Sequence, residues 1–168
     1  VMWAGGAAYL STHKVHREIL AFADAQEAVS SWLLLPGDSA PLQTIGAVES
    51  LGFSSSRLKG SGWQVLRRFY DRARLKRRLL REAPRLVMLD GIGVARYFLP
   101  LLRSQPATQV IVVFHGVKRL REAEVRLLRG FPAERLRLLA VSKTLSEDVA
   151  RQVQLPVLGV RNALDPDS

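Results

Sequence analysis

Several short apolar runs in this chain end on residues that can act on a ligand. His115 closes the most apolar of them, residues 110–114 (VIVVF), and Gly116 follows it. A histidine at the mouth of a cleft can donate or accept a hydrogen bond; the alternative is an imidazole tied to a neighbouring loop. Asp90 closes residues 86–89 (LVML) and precedes Gly91. Its carboxylate can accept from a substrate hydroxyl or cap the loop that follows. Ser142 and Asn162 stand just after the runs at 136–141 and 156–160. Gly5 and Gly6 follow a stub of four residues and read as a strand-to-helix turn. There a bare backbone and the N–H groups of a helix start favour phosphate.

The elements that must position these residues alternate along the chain. Apolar runs at 32–35, 86–89, 110–114, 136–141 and 156–160 lack polar alternation, which suits parallel strands covered on both faces. Helical spacing covers residues 9–26, 93–103, 117–129 and 143–152, and a short strand is expected near 42–48 within a Gly-, Ser- and Pro-rich connection. Such alternation predicts an α/β domain: a doubly wound, mainly parallel Rossmann-like sheet with helices on both faces. Ligands of these sheets bind outside the carboxyl ends of the strands, where the residues named above fall.

The 168 residues suit a single domain with a sizeable core. The absence of cysteine removes disulfides and thiolate zinc sites from consideration and fits a reducing compartment. No apolar run approaches the length of a membrane span. No charged-then-apolar leader opens the sequence, and the short stub ahead of Gly5 reads as a trimmed start. His13 and His16 sit at i, i+3 on the first helix without a third ligand, so no metal site is expected. Gly91, Ile92 and Gly93 begin a dinucleotide-like fingerprint, but its sixth position is Arg96 and the match is weak. A phosphate loop ending in Lys-Ser/Thr and a serine nucleophile elbow are both missing from the sequence.

The net charge of +10 is local. Residues 57–85 contain 11 basic and two acidic side chains, a net of +9, which leaves +1 for the rest. The spacing predicts a helix over 63–82. Trp63, Leu66, Phe69, Tyr70, Ala73 and Leu80 share one broad face. Arg67, Arg74, Arg78 and Arg81 share another, with Arg72, Lys76 and Arg77 flanking the apolar side. Four readings fit: a surface helix packed on the sheet with a solvated arginine face, a membrane-surface helix, a site for a phosphorylated lipid-linked acceptor, or nucleic acid. The last is disfavoured, because neither a helix-turn-helix nor an aromatic stacking sheet accompanies it. An anionic patch partner would meet Arg67, Arg74, Arg77, Arg78 and Arg81 first.

The order of these segments resembles the N-terminal domain of two-Rossmann-domain (GT-B), family-4-like retaining glycosyltransferases. The end of the chain, AVS, helix, PVLGV, then RNALDP, is similar to that family's passage into its second domain, with Ala163 where a glycine is usual. The segment VVFHGV matches the family's "vvHg" stretch. The resemblance implies that residues 1–168 form the acceptor-side domain, with the donor-binding domain lying elsewhere. It implies His115 as the catalytic histidine near the transferred sugar. It also implies Gly5, Gly6, Asp90, Gly91, Gly116, Ser142 and Asn162 on the donor or acceptor. No cofactor or metal is implied beyond the nucleotide-sugar donor. The expected setting is cytoplasmic, at the inner face of the bacterial membrane, in surface polysaccharide or lipopolysaccharide synthesis on a glycan or lipid-linked acceptor. The rival expectation is a stand-alone Rossmann-like nucleotide-binding or regulatory module.

Overall fold

The computed structural model describes residues 2–6, 30–36, 49–53, 62–116 and 119–160. The chain divides into two compact units, Val1–Pro84 and Arg85–Ser168. In the first unit, strands β1 (Met2–Gly6), β2 (Ser30–Pro36) and β3 (Glu49–Phe53) pair in parallel, with β2 in the middle. The register sets Gly5 opposite Leu33 and Leu34 opposite Leu51. The third strand thus lies at Glu49–Phe53, while the expected position at 42–48 falls outside the described residues. Its sequence, ESLGF, places only Leu51 and Phe53 in alternation around a glycine, a faint strand signal.

Helix α1 (Gly62–Glu82) closes this unit. Its buried stripe is Asp71, Leu75 and Leu79, one residue per turn. The broad apolar face marked by the spacing is turned outward, as the membrane-surface reading requires and the packed reading does not, with Leu66, Phe69, Tyr70 and Leu80 all more than half exposed. Two leucines at i, i+4 are enough to seat the helix, at about 1.5–3 kcal/mol for each buried side chain, and the richer face is left in solvent.

The second unit is a four-stranded parallel sheet in the order β4 (Leu86–Asp90), β5 (Gln109–Phe114), β6 (Leu136–Ala140), β7 (Val157–Gly159). Between them lie α2 (Gly91–Leu102), α3 (Glu122–Arg129), a single 3-10 turn (Ala133–Arg135) and α4 (Lys143–Val153). Val87, Leu89, Val110, Val112, Phe114, Leu136, Leu138 and Ala140 are buried on alternate positions, while Met88, Ile111, Val113 and Leu139 are half-buried on the other face. Helix α2 packs on β4 and β5, and α4 on β6 and β7. Gly159 is needed where β7 meets α4: a Cβ there would stand 2.9 Å from Ser146 Oγ and 3.1 Å from Lys143 Cα.

Helix α3 begins later than the expected 117. Arg119, Leu120 and Arg121 are not helical; Leu120 donates to Gln152 Oε1 at 2.7 Å, and Arg121 to Glu124 Oε2 at 2.8 Å. The second bond is the return half of a capping box.

The far end of α2 is held by a buried arginine. Arg135 donates to the carbonyls of Leu102 and Gln105, each at 2.7 Å, and of Thr108 at 3.0 Å, and lies 5.0 Å from the Phe131 ring centroid. Helix C-termini leave carbonyls without intrahelical donors, and the guanidinium fork supplies several at once.

Candidate functional site

The parallel ladder brings the carboxyl ends of β4, β5 and β6 to one edge of the second unit. Asp90 is the last residue of β4 and also the residue preceding α2, with φ −81° and ψ 93°. The helix can start at once because Gly91 turns the chain at φ +80°, a conformation that costs a side-chain-bearing residue roughly 1–2 kcal/mol. Asp90 makes no side-chain cap bond to the helix it precedes. Its carboxylate turns to the adjacent strand end instead.

There Oδ1 of Asp90 lies 2.5 Å from Nε2 of His115. The register pairs Asp90 with Val113, so His115 sits two residues further along β5 and just beyond its end. The carboxylate is the inner member of the pair, its side chain 3% exposed against 24% for the imidazole. A carboxylate so deeply buried needs a partner, and the positive end of α2 adds to what the imidazole provides. With Nε2 donating to the carboxylate, the ring's orientation is fixed, and in a neutral ring Nδ1 is an acceptor.

The surroundings are built for close approach. A Cβ placed on Gly91, Gly93 or Gly116 would meet nothing within 4 Å, so there is open space beside all three. Ser142 caps α4, its Oγ accepting from Leu145 N at 3.2 Å, and it remains exposed beside Lys143. The ladder continues past the strands through Val141 N to Phe114 O at 3.1 Å, which ties the end of β6 to the end of β5. His115, Asp90 and the start of α4 therefore share an edge that offers an oriented imidazole and two helix N-termini. This arrangement can hold polar and anionic groups and hydrogen-bond a ligand hydroxyl.

Of the residues singled out from sequence, His115, Asp90, Gly91, Gly116 and Ser142 all fall at this edge. Gly5 and Gly6 are the last two residues of β1, inside the strand rather than in a turn after it, and belong to the first unit. Asn162, His13 and His16 lie outside the described residues. Arg67, Arg74, Arg77, Arg78 and Arg81 all lie on α1; Arg74, Arg77 and Arg81 are exposed, and Arg78 is half-buried against Glu82 at 2.9 Å. Among the described residues no three His, Cys, Asp or Glu side chains gather to hold a metal ion, and no helix is long and apolar enough to cross a membrane. What sequence reasoning missed is the pairing of Asp90 with His115. The available signal was that successive strands joined by one crossover helix are commonly neighbours.

No family model matches the chain, and no curated protein matches it in sequence. The fold has solved counterparts. A crystal structure of a glycosyltransferase from Rickettsia africae ESF-5 superposes with a TM-score of 0.60 at 12% identity, over 96% of this chain and 42% of that one. The likeness is one of fold, and this chain spans well under half the length of that protein.

Proposed function

We propose that the chain is the acceptor-side domain of a two-domain glycosyltransferase that moves a sugar from a nucleotide donor to a hydroxyl acceptor, with retention at the anomeric carbon. The observation that carries this reading is the His115–Asp90 pair at neighbouring strand ends. The likeness of fold to a glycosyltransferase and the 42% share of its length support it, since the remainder of such a protein would be a further domain. Transfer breaks the bond from the anomeric carbon to the donor's phosphate oxygen and forms one to the acceptor oxygen. The acceptor's proton leaves with the nucleotide. His115 would hydrogen-bond the sugar undergoing transfer, and Asp90 would fix the ring's orientation. The N-termini of α2 and α4 would favour the negative charge that develops on the leaving diphosphate. A bacterial surface glycan or lipid-linked sugar is the acceptor class that completes this proposal.

The test is a donor panel, uridine and guanosine diphosphate sugars included, incubated with the product of the whole reading frame and candidate lipid-linked or oligosaccharide acceptors. Transfer or slow donor hydrolysis that His115→Ala abolishes supports the reading. A whole protein that binds a nucleotide but neither transfers nor hydrolyses any donor overturns it in favour of a binding module.

A further inference from the structure

Helix α1 carries a second amphipathic face, distinct from the one that seats it. At about 100° per residue, Leu66, Phe69, Tyr70, Ala73 and Leu80 fall within an arc of roughly 100°, opposite the buried Asp71, Leu75 and Leu79. Phe69 and Tyr70 are each 68% exposed. Exposed cations border this arc: Arg72 and Lys76 on one side, Arg74 and Arg81 on the other, with Arg77 within it. The helix holds only two acids against these cations: Asp71 is buried in the opposite stripe, and Glu82 is half-buried against Arg78. Every described exposed residue of the helix is thus apolar or cationic.

We propose that this face is a docking surface for an anionic lipid membrane, with α1 lying in the plane of the interface. The proposal does not depend on the chemistry assigned to His115. Leu66 and Leu80 are about 21 Å apart along the axis at 1.5 Å per residue, a flat line of apolar side chains rather than a point anchor. Large apolar side chains held in water call for cover, and the acyl–headgroup boundary covers them while the flanking cations meet lipid phosphates. Nucleic acid would answer the cations and leave the apolar arc wet. A second copy of the same face would set its arginines against one another.

The test uses the 168-residue chain, sedimented with phosphatidylcholine vesicles and with vesicles that also contain phosphatidylglycerol. Binding is expected to the mixed vesicles only, and to fall with salt as screening shortens. Arg77→Gln with Arg81→Gln should weaken it roughly 25-fold, at about fivefold for each cation near the surface. Phe69→Ser with Tyr70→Ser should weaken it at least about tenfold through lost apolar burial. A Phe69→Trp variant should bind like the parent and be quenched by lipids brominated in their acyl chains. Circular dichroism confirms the fold of each variant, all substituted at exposed positions. The proposal is overturned by no binding, by equal binding to both vesicles, by a serine pair that binds unchanged, or by preference for a single- or double-stranded oligonucleotide over vesicles.

Discussion

The carboxylate of Asp90 reaches across from the end of β4 to the imidazole of His115 at the end of β5, with Oδ1 2.5 Å from Nε2. The acid is the covered partner and the base the open one. On the proposed function, that order makes Asp90 a positioning residue: it would orient the ring that meets the ligand while lying too deep to meet it itself.

In the full-length protein, His115→Ala should lower kcat by about 10²–10³ if the proposed transfer is correct, the range for losing one preorganised hydrogen-bonding group at the transition state. Asp90→Asn should lower kcat less and leave KM nearly unchanged. The cycle between them discriminates: if Asp90 acts through His115, adding Asp90→Asn to His115→Ala should cost little more activity. Additive losses would give Asp90 a separate role. Unchanged turnover in His115→Ala would make the pair structural.

The same pair has a stability consequence. His115→Ala deprives a buried carboxylate of this partner and should destabilise the domain by about 1–3 kcal/mol. Asp90→Asn combined with His115→Ala should recover part of that loss, because the buried group is then neutral. Urea denaturation measures both; a double variant less stable than His115→Ala alone would contradict this account.

Gly91→Ala separates backbone from space. A Cβ at Gly91 meets nothing within 4 Å, yet its φ is +80°. The predicted loss of about 1–2 kcal/mol is therefore conformational, and the backbone relaxation should also displace Asp90. Gly93→Ala, with equal room and no positive φ, is the control and should be neutral or slightly stabilising, since alanine is the better helix former. Equal destabilisation by both substitutions would mean that side-chain space, not φ, sets the cost.

Much of the second unit was legible in the sequence, for identifiable reasons. The runs LVML and VIVVF are too short and too continuously apolar for surface helices, and each ends on the residue that the fold delivers to the site edge. What the sequence left open at α1 is equally physical. Reading a helix by its richest apolar face assumes that this face is the buried one, whereas Leu75 and Leu79 bury a different stripe. Side chains on one helix cannot reveal which face meets the rest of the protein when two faces carry apolar residues. At β1 the glycines read as a turn, because glycine weakens a strand signal, yet both are paired within the ladder against Leu33 and Leu34.

Arg135 escaped notice because nothing in AERLRL distinguishes it from the exposed Arg137 two residues on. The structure separates them sharply. Arg135 is 7% exposed and reaches the carbonyls of Leu102, Gln105 and Thr108. It therefore fastens the end of α2 and the turn into β5, the strand that carries His115. Leu102 and Gln105 oxygens also accept backbone N–H groups from Gln105 and Thr108, so the arginine supplements those bonds rather than replacing them. Arg135→Met keeps the aliphatic stem near Phe131 but removes every donor, and should cost about 2–4 kcal/mol, within the range for breaking charge-assisted and buried polar contacts. Arg135→Lys restores a charge without the planar fork and should recover only part of it. Arg137→Met, at an exposed site, should change stability by no more than about 0.5 kcal/mol. Chemical denaturation of the three variants gives the comparison. A methionine variant as stable as the parent, or a lysine variant indistinguishable from it, would show that the fork does not hold this end of α2.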